Sequence, residues 1–234
     1  MITPIIILVE PSHPGNIGAV ARAMKTMGHH SLRLVNPKQF PDMTATRRAA
    51  GAEDVLTQAT CYSNLDDALS DCHIALATSN RPRTLQWPVY TPEEAAAYCS
   101  NYQNQSIALV FGRESNGLNN EELNRCHGQI TIPTYSPYHS LNLSHAVQIL
   151  TYCFAQSKTE ALTTSPTLAP HESLNHLYQH FENTLKTLPH FNMPHPEHTL
   201  NRLRCLINRA QPTENEVNLL RGILSAVDHH RMED

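Results

Sequence analysis

Short apolar runs punctuate the chain from its start to about residue 156, at Ile5–Val9, Leu32–Val35, Ile74–Ala77, Ile107–Phe111 and Ile130–Ile132. Each is β-branched or leucine-rich and bounded by Pro, Asn, Gly or Ser, which reads as a strand. Between them the apolar period lengthens to that of a helix. Ile17, Val20, Ala21, Met24 and Met27 recur over 17–27, Asn16 stands at the N-cap position, and Gly28 supplies the stop. Shorter crossover helices are predicted at Leu65–Leu69, Pro92–Tyr98 and Glu121–Cys126. A longer one over Asn142–Gln156 presents Leu143, Ala146, Val147, Leu150 and Phe154 on one face. Strands alternating with helices predict an α/β fold on a mostly parallel sheet over residues 1–157.

Past that point the pattern changes. Residues 158–170, KTEALTTSPTLAP, have no periodic face and the Thr/Pro content of a linker. Residues 171–234 then predict two or three helices as a small C-terminal extension. Leu200, Leu203, Leu206 and Ile207 form one stripe, and Val217, Leu220, Ile223, Leu224 and Val227 a second.

Composition narrows the function classes. With 40% hydrophobic and 16% charged residues among 234, the chain can bury a core and a smaller appendage. The apolar run at Ile5–Val9 stops at Glu10, far short of the ~20 residues of a membrane span, and no basic leader precedes it. A cytoplasmic protein is expected, with its scattered cysteines (Cys61, Cys72, Cys99, Cys126, Cys153, Cys205) reduced. Seventeen Lys plus Arg against 21 Asp plus Glu leave a net charge of -4, so any affinity for RNA has to come from a local basic patch. Neither a G-x-G-x-x-G nor a P-loop pattern occurs, which argues against dinucleotide binding and ATP hydrolysis. His190, His195, His198, His229 and His230 lack cysteine or carboxylate company, so no metal site is expected.

Three segments, each following a predicted strand, carry polar residues that a purely structural domain would not need. EPSHPGNIGAVAR (10–22) contains Asn16 and Arg22; a capped helix with a solvated arginine is its plain alternative. FGRESNGL (111–118) puts Arg113 and Glu114 just beyond a strand end, where open α/β sheets bind ligands; its alternative is a surface turn. ITIPTYSPYHSLNLS (130–144) is a long polar loop in which Ser140 and Asn142 compete to cap the next helix. Cations gather in or near these loops: Arg22, Lys25, Arg47, Arg48, Arg81, Arg83 and Arg113, any of which outside the three segments could be an ordinary surface charge.

Together, NIGAVARAM at 16–24, LVFGRESNGL at 109–118 and ITIP with SLNLSHA at 130–146 resemble, in order and spacing, the three motifs of the SPOUT-class ribose 2'-O-methyltransferases of the SpoU/TrmH type. The phrase EPSHPGNIGAVARAMKTMG, the TSNRPRTLQWP stretch at 78–88 and the helical tail resemble the TrmJ type, which acts on nucleotide 32 of tRNA.

The resemblance implies a deep trefoil knot at the carboxyl end of the α/β domain, S-adenosylmethionine as methyl donor, tRNA as substrate, and a homodimer in which Arg22 serves the neighbouring site. It further implies that Arg22, Asn16, Glu114, Ser140 and Asn142 form the catalytic group. Thr78, Ser79, Asn80, Gly112, Ile132, His139, Ser140 and Leu141 would hold the cofactor. Arg22, Lys25, Arg81, Arg83 and Arg113 are the expected RNA contacts. Two alternatives stay open: ribosomal RNA as substrate, or an RNA-binding homologue without catalysis.

Overall fold

The structure, a computed structural model, describes residues 2–80, 87–135, 140–157, 166–188 and 196–230. Its centre is a seven-stranded, wholly parallel sheet. The strands are β1 (Ile5–Val9), β2 (Leu32–Val35), β3 (Thr60–Tyr62), β4 (Ile74–Thr78), β5 (Val89–Tyr90), β6 (Ile107–Phe111) and β7 (Gly128–Ile130), in the order β3-β2-β1-β6-β4-β7-β5.

Alternation along each strand separates two cores. Ile6, Leu8, Ile74, Leu76, Ile107 and Leu109 face one side, where α1 (Pro14–Thr26), α2 (Met43–Ala49), α3 (Glu53–Thr57), α5 (Pro92–Cys99) and α7 (Leu143–Gln156) cover them. Ile7, Val9, Ala75, Ala77, Ala108 and Val110 face the other, covered by α4 (Leu65–Leu69) and α6 (Asn120–Asn124).

Local chemistry sets the helix ends. Gly28 takes φ +78 just past α1, as its position predicts. Thr91 with Glu94 and Asn119 with Glu122 form capping boxes at α5 and α6. Asn142 rather than Ser140 caps α7, accepting from the Ser144 N–H at 2.9 Å. The cap of α1 differs from expectation. His13 Nδ1 accepts from the Gly15 N–H at 3.0 Å, Pro14 opens the helix, and Asn16 lies inside its first turn. The last predicted strand also shifts, to Gly128–Ile130, because Gln129 pairs with β4 and β5 while residues 131–135 leave the sheet. Two short edge strands, β3 and β5, and the helices α2 and α3 are additions to the sequence expectation.

The C-terminal part consists of α8 (His171–Thr187), α9 (Pro196–Ala210) and α10 (Glu214–His230), with a core of its own around Leu174, Leu177, Tyr178, Ile207, Val217 and Leu224. It docks on the α4–α6 side. Asp66 accepts from Arg125 Nε at 2.8 Å, His171 Nε2 at 3.1 Å and Asn175 Nδ2 at 3.1 Å, and Asn208 Nδ2 donates to the Cys126 carbonyl at 3.2 Å. No described helix is long and apolar enough to cross a membrane. None of the six cysteines is joined in a disulfide.

Candidate active site

In a parallel sheet all carboxyl ends lie along one edge. Since β1, β6, β4 and β7 are neighbours in that order, the loops that follow them must meet. Those loops are the segment after Glu10, the Gly112–Leu118 turn, Thr78–Asn80, and the passage from Ile130 towards α7.

The turn after β6 depends on glycine twice. Arg113 and Gly117 exchange backbone hydrogen bonds of 3.3 and 2.9 Å, and Gly117 takes φ +67. A Cβ at Gly112 would lie 2.1 Å from the Gly117 carbonyl carbon, so the two strands of the turn can close only on a residue without one.

Within that turn Glu114 gathers donors from a segment about a hundred residues away. Its carboxylate accepts from the Ser12 N–H at 3.0 Å, Ser12 Oγ at 2.8 Å, the His13 N–H at 3.3 Å and Asn16 Nδ2 at 2.9 Å. Asn142 Nδ2, at the start of α7, donates to Asn16 Oδ1 at 3.3 Å. The three polar segments singled out by sequence are thereby one connected network. Partial burial works against the charge of Glu114, but hydrogen bonds from Asn16 and Ser12 outweigh it and bring the carboxyl pKa down to about 2. Such a group is a firm anchor and a poor acceptor of protons at neutral pH.

Beside the network lies an open cavity of about 510 Å³, within the usual range for small-molecule sites. Thr78, Ser79, Asn80, Gly112, Ile132, Ser140 and Leu141 all line it, together with Glu114. His139, Arg81 and Arg83 lie outside the described residues. Behind the wall, Gln129 Nε2 and Thr131 Oγ1 both donate to the Ser79 carbonyl, at 2.8 and 2.9 Å, which fixes the Thr78–Asn80 loop against β7. Among the described residues no group of His, Cys, Asp or Glu could hold a metal ion.

The cations divide. Arg113, expected to face RNA, is clamped inside the protein: Nε donates to Glu10 at 2.8 Å, and Nη1 and Nη2 donate to Glu122 at 3.0 and 2.8 Å. A guanidinium forked between two carboxylates braces the turn and has little capacity left for a phosphate. Lys25 pairs with Asp54 at 2.7 Å, an exposed, solvent-screened contact that is readily exchanged. Arg22 is exposed on α1 and does not line the cavity of its own chain.

Residues 3–152 match the SpoU rRNA Methylase family, and residues 172–234 match the C-terminal domain of the tRNA methyltransferase TrmJ. The chain belongs to the SpoU methylase family. Its relatives include the tRNA (cytidine/uridine-2'-O-)-methyltransferases TrmJ of Photorhabdus laumondii, 45% identical over 95% of each chain, and of Sodalis glossinidius, 43% identical over 96% of this chain and 91% of that one. Among solved structures, TrmJ from Zymomonas mobilis (Z. mobilis ZM4) superposes with a TM-score of 0.88 at 34% identity, covering 97% of this chain and 99% of that one.

Within this member of the family, several cavity and network residues carry no sequence signal of their own. Ser12 is the chief example: it supplies two of the hydrogen bonds to Glu114, yet reads as one polar residue in a loop. Leu143 and Ala146 line the cavity from α7 although their period marks them only as core. Asn116 and Ser115 complete the wall beside Glu114 and were legible only as turn residues.

Proposed function

We propose that this protein transfers the methyl group of S-adenosylmethionine to the ribose 2'-hydroxyl of nucleotide 32 in the anticodon loop of tRNA. The observation that carries this reading is the network Ser12–Glu114–Asn16–Asn142, which ties three family motifs together at the mouth of a cavity of suitable size. The TrmJ relatives, which align over nearly the whole chain including its helical tail, favour tRNA over ribosomal RNA. Retention of Asn16, Arg22, Glu114 and Asn142 favours an enzyme over a silent RNA-binding homologue.

The cavity suits the cofactor on chemical grounds. Ile130, Ile132, Leu141 and Leu143 offer an apolar wall for a purine, and the bare backbone at Gly112 permits close approach of a ligand. When bound, S-adenosylmethionine supplies a methyl group on a sulfonium, a good leaving group that needs no metal. The protein's task is then to place a ribose oxygen in line with that methyl, an effect that can contribute about 7–11 kcal/mol. Glu114 orients Asn16 and the 12–16 segment, Asn142 fixes α7 against Asn16, and Ser140 stands exposed at the cavity rim. Arg22 grips the substrate phosphate and stabilises the developing alkoxide. The hydroxyl proton passes to solvent as the O–C bond forms and the C–S bond breaks, since neither Glu114 nor a guanidinium is matched to accept it at neutral pH.

In this reading the active protein is a cytoplasmic homodimer in which each site receives Arg22 from the neighbouring subunit, consistent with Arg22 not lining the cavity of its own chain. Residues 1–157 form the methyltransferase domain, with a deep trefoil knot at its carboxyl end, and residues 171–234 form the helical extension beyond a 158–170 linker. Incubating the protein with labelled S-adenosylmethionine and single tRNA transcripts, then locating the ribose resistant to alkaline cleavage, tests the assignment. One resistant position at nucleotide 32 is expected. Methylation of a base, or of ribosomal RNA alone, would reject it.

A further inference from the structure

On the face where α2 crosses α1, Gly15, Gly18 and Arg22 recur at i, i+3 and i+7 and so share one stripe of α1. The contact is backbone-close. A Cβ at Gly18 would sit 2.1 Å from the Ala45 carbonyl oxygen and 2.9 Å from Arg48 Cβ, and one at Gly15 would sit 3.6 Å from Arg48 Cγ. The stem of Arg48 therefore lies over the Gly15–Gly18 end of the stripe, one turn before Arg22 and beside the turn that holds Asn16. Ala45 and Ala49 are the buried residues of α2. Arg48 flanks that buried side, whereas Arg47, about 200° round the helix from Ala45, points away from α1.

Neither Arg22, Arg47 nor Arg48 pairs with any carboxylate among the described residues. Nearby acids are engaged elsewhere: Asp42 caps the Thr44 N–H at 2.6 Å, Glu53 accepts from the Gly51 N–H at 3.0 Å, and Asp54 holds Lys25. A chain with net charge -4 thus carries two arginines on one packed helix pair, with no carboxylate partner for either among the described residues. Such an arrangement is stabilised by an anion that both can reach.

We propose that Arg48 completes, with Arg22, a two-guanidinium clamp for one phosphate of the RNA backbone, making Arg48 a positioning residue for the substrate strand. The inference rests on the reading of the protein as a tRNA-modifying enzyme and adds to it a residue that the three motifs do not contain. Phosphate contacts of this kind set register without reading sequence, so the clamp fixes where the strand lies along α1. The target ribose is then held at the site that this Arg22 serves.

The test compares two adjacent arginines of equal charge. Affinity of a tRNA transcript is measured as a function of salt for the wild type and for Arg48→Ala, Arg48→Lys and Arg47→Ala, with wild-type methyl transfer measured in parallel. Arg48→Ala is expected to weaken binding about ten-fold and to reduce the slope of log affinity against log salt by about 0.7–0.9, one phosphate contact. Arg48→Lys should keep the slope while losing part of the affinity, because a point charge replaces a fork. Arg47→Ala should cost less than a third of the Arg48→Ala effect. Equal losses at both positions, or an unchanged slope in Arg48→Ala, would overturn the clamp alone. A wild type that binds tRNA with the expected contrast yet transfers no methyl would instead overturn the functional reading.

Discussion

Two carboxylates, Glu114 and Asp66, each draw together segments far apart in sequence, and they do it with opposite chemistry. Asp66 takes a guanidinium, an imidazole and an amide at the junction between the sheet domain and the C-terminal helices. Burial opposes its charge, but His171 and Arg125 hold it far below the usual carboxylate range. Glu114 takes only neutral donors and keeps its full negative charge beside an open cavity, while the arginine next to it in sequence turns to Glu10 and Glu122. A carboxylate matched by a cation fastens two bodies; one left unmatched at a cavity shapes the field and geometry of a site.

Exchanging the damage is the strongest way to break this contrast. Glu114→Ala should lower methyl transfer about 100-fold, since it releases the 12–16 segment, and with it the Asn16 that Asn142 holds, while costing about 1 kcal/mol of stability because all but the Asn16 hydrogen bond are solvent-exposed. Asp66→Asn should do the reverse. It leaves Arg125 without its partner and lowers stability by about 1–2 kcal/mol, a few degrees in Tm, with methyl transfer by the folded protein within about two-fold of wild type. If Asp66→Asn inactivated the folded enzyme as severely as Glu114→Ala, the two carboxylates would not divide the work as described.

Gly112→Ala sharpens the open side of the comparison. The added methyl meets Gly117 backbone, so the turn must open and carry Glu114 away from Asn16, and a loss of activity of about 10- to 100-fold is expected with the helical extension still docked. Kinetics combined with thermal melting would check it. Asn142→Ala removes one 3.3 Å hydrogen bond and a helix cap, for a smaller effect of about ten-fold in activity and about 1 kcal/mol in stability.

Acidification should test both carboxylates. Both have folded pKa values below their ordinary ones, so the stability each contributes is complete above the ordinary carboxylate pKa and is lost only as pH falls through the folded value. For Glu114 that loss runs from about pH 4.5 down to about 2, and for Asp66 it lies wholly below the ordinary carboxylate range. A carboxyl NMR titration should show both groups still ionised where ordinary carboxyls protonate; an ordinary pKa at either would contradict the hydrogen bonds described for it.

Much of this was legible in the sequence where a periodic pattern was long. The strands at Ile5–Val9, Leu32–Val35 and Ile107–Phe111 appear where apolar runs place them, and α4 and α7 follow their stripes. Short edge elements were not legible. β5 is two residues long, and β3 is largely exposed, so neither carries a burial pattern to read. The cap of α1 was misplaced because His13 and Pro14 act together, which left Asn16 free to join Glu114. For the candidate site, motif order pointed to segments that the fold brings together, yet only tertiary geometry shows that Arg113 turns to two acids and that Ser12 supports Glu114. Neither is a property of local sequence, since each depends on which loop lies across the sheet edge.

The central claim is that one anchored carboxylate assembles the donor site from three loops. Calorimetric titration of S-adenosylmethionine into wild type and Glu114→Ala, with both variants shown to be folded, tests it most directly. The account predicts saturable binding to the wild type and an affinity at least ten-fold weaker in the variant. Equal affinity in the two proteins, or no binding to the wild type, would contradict it.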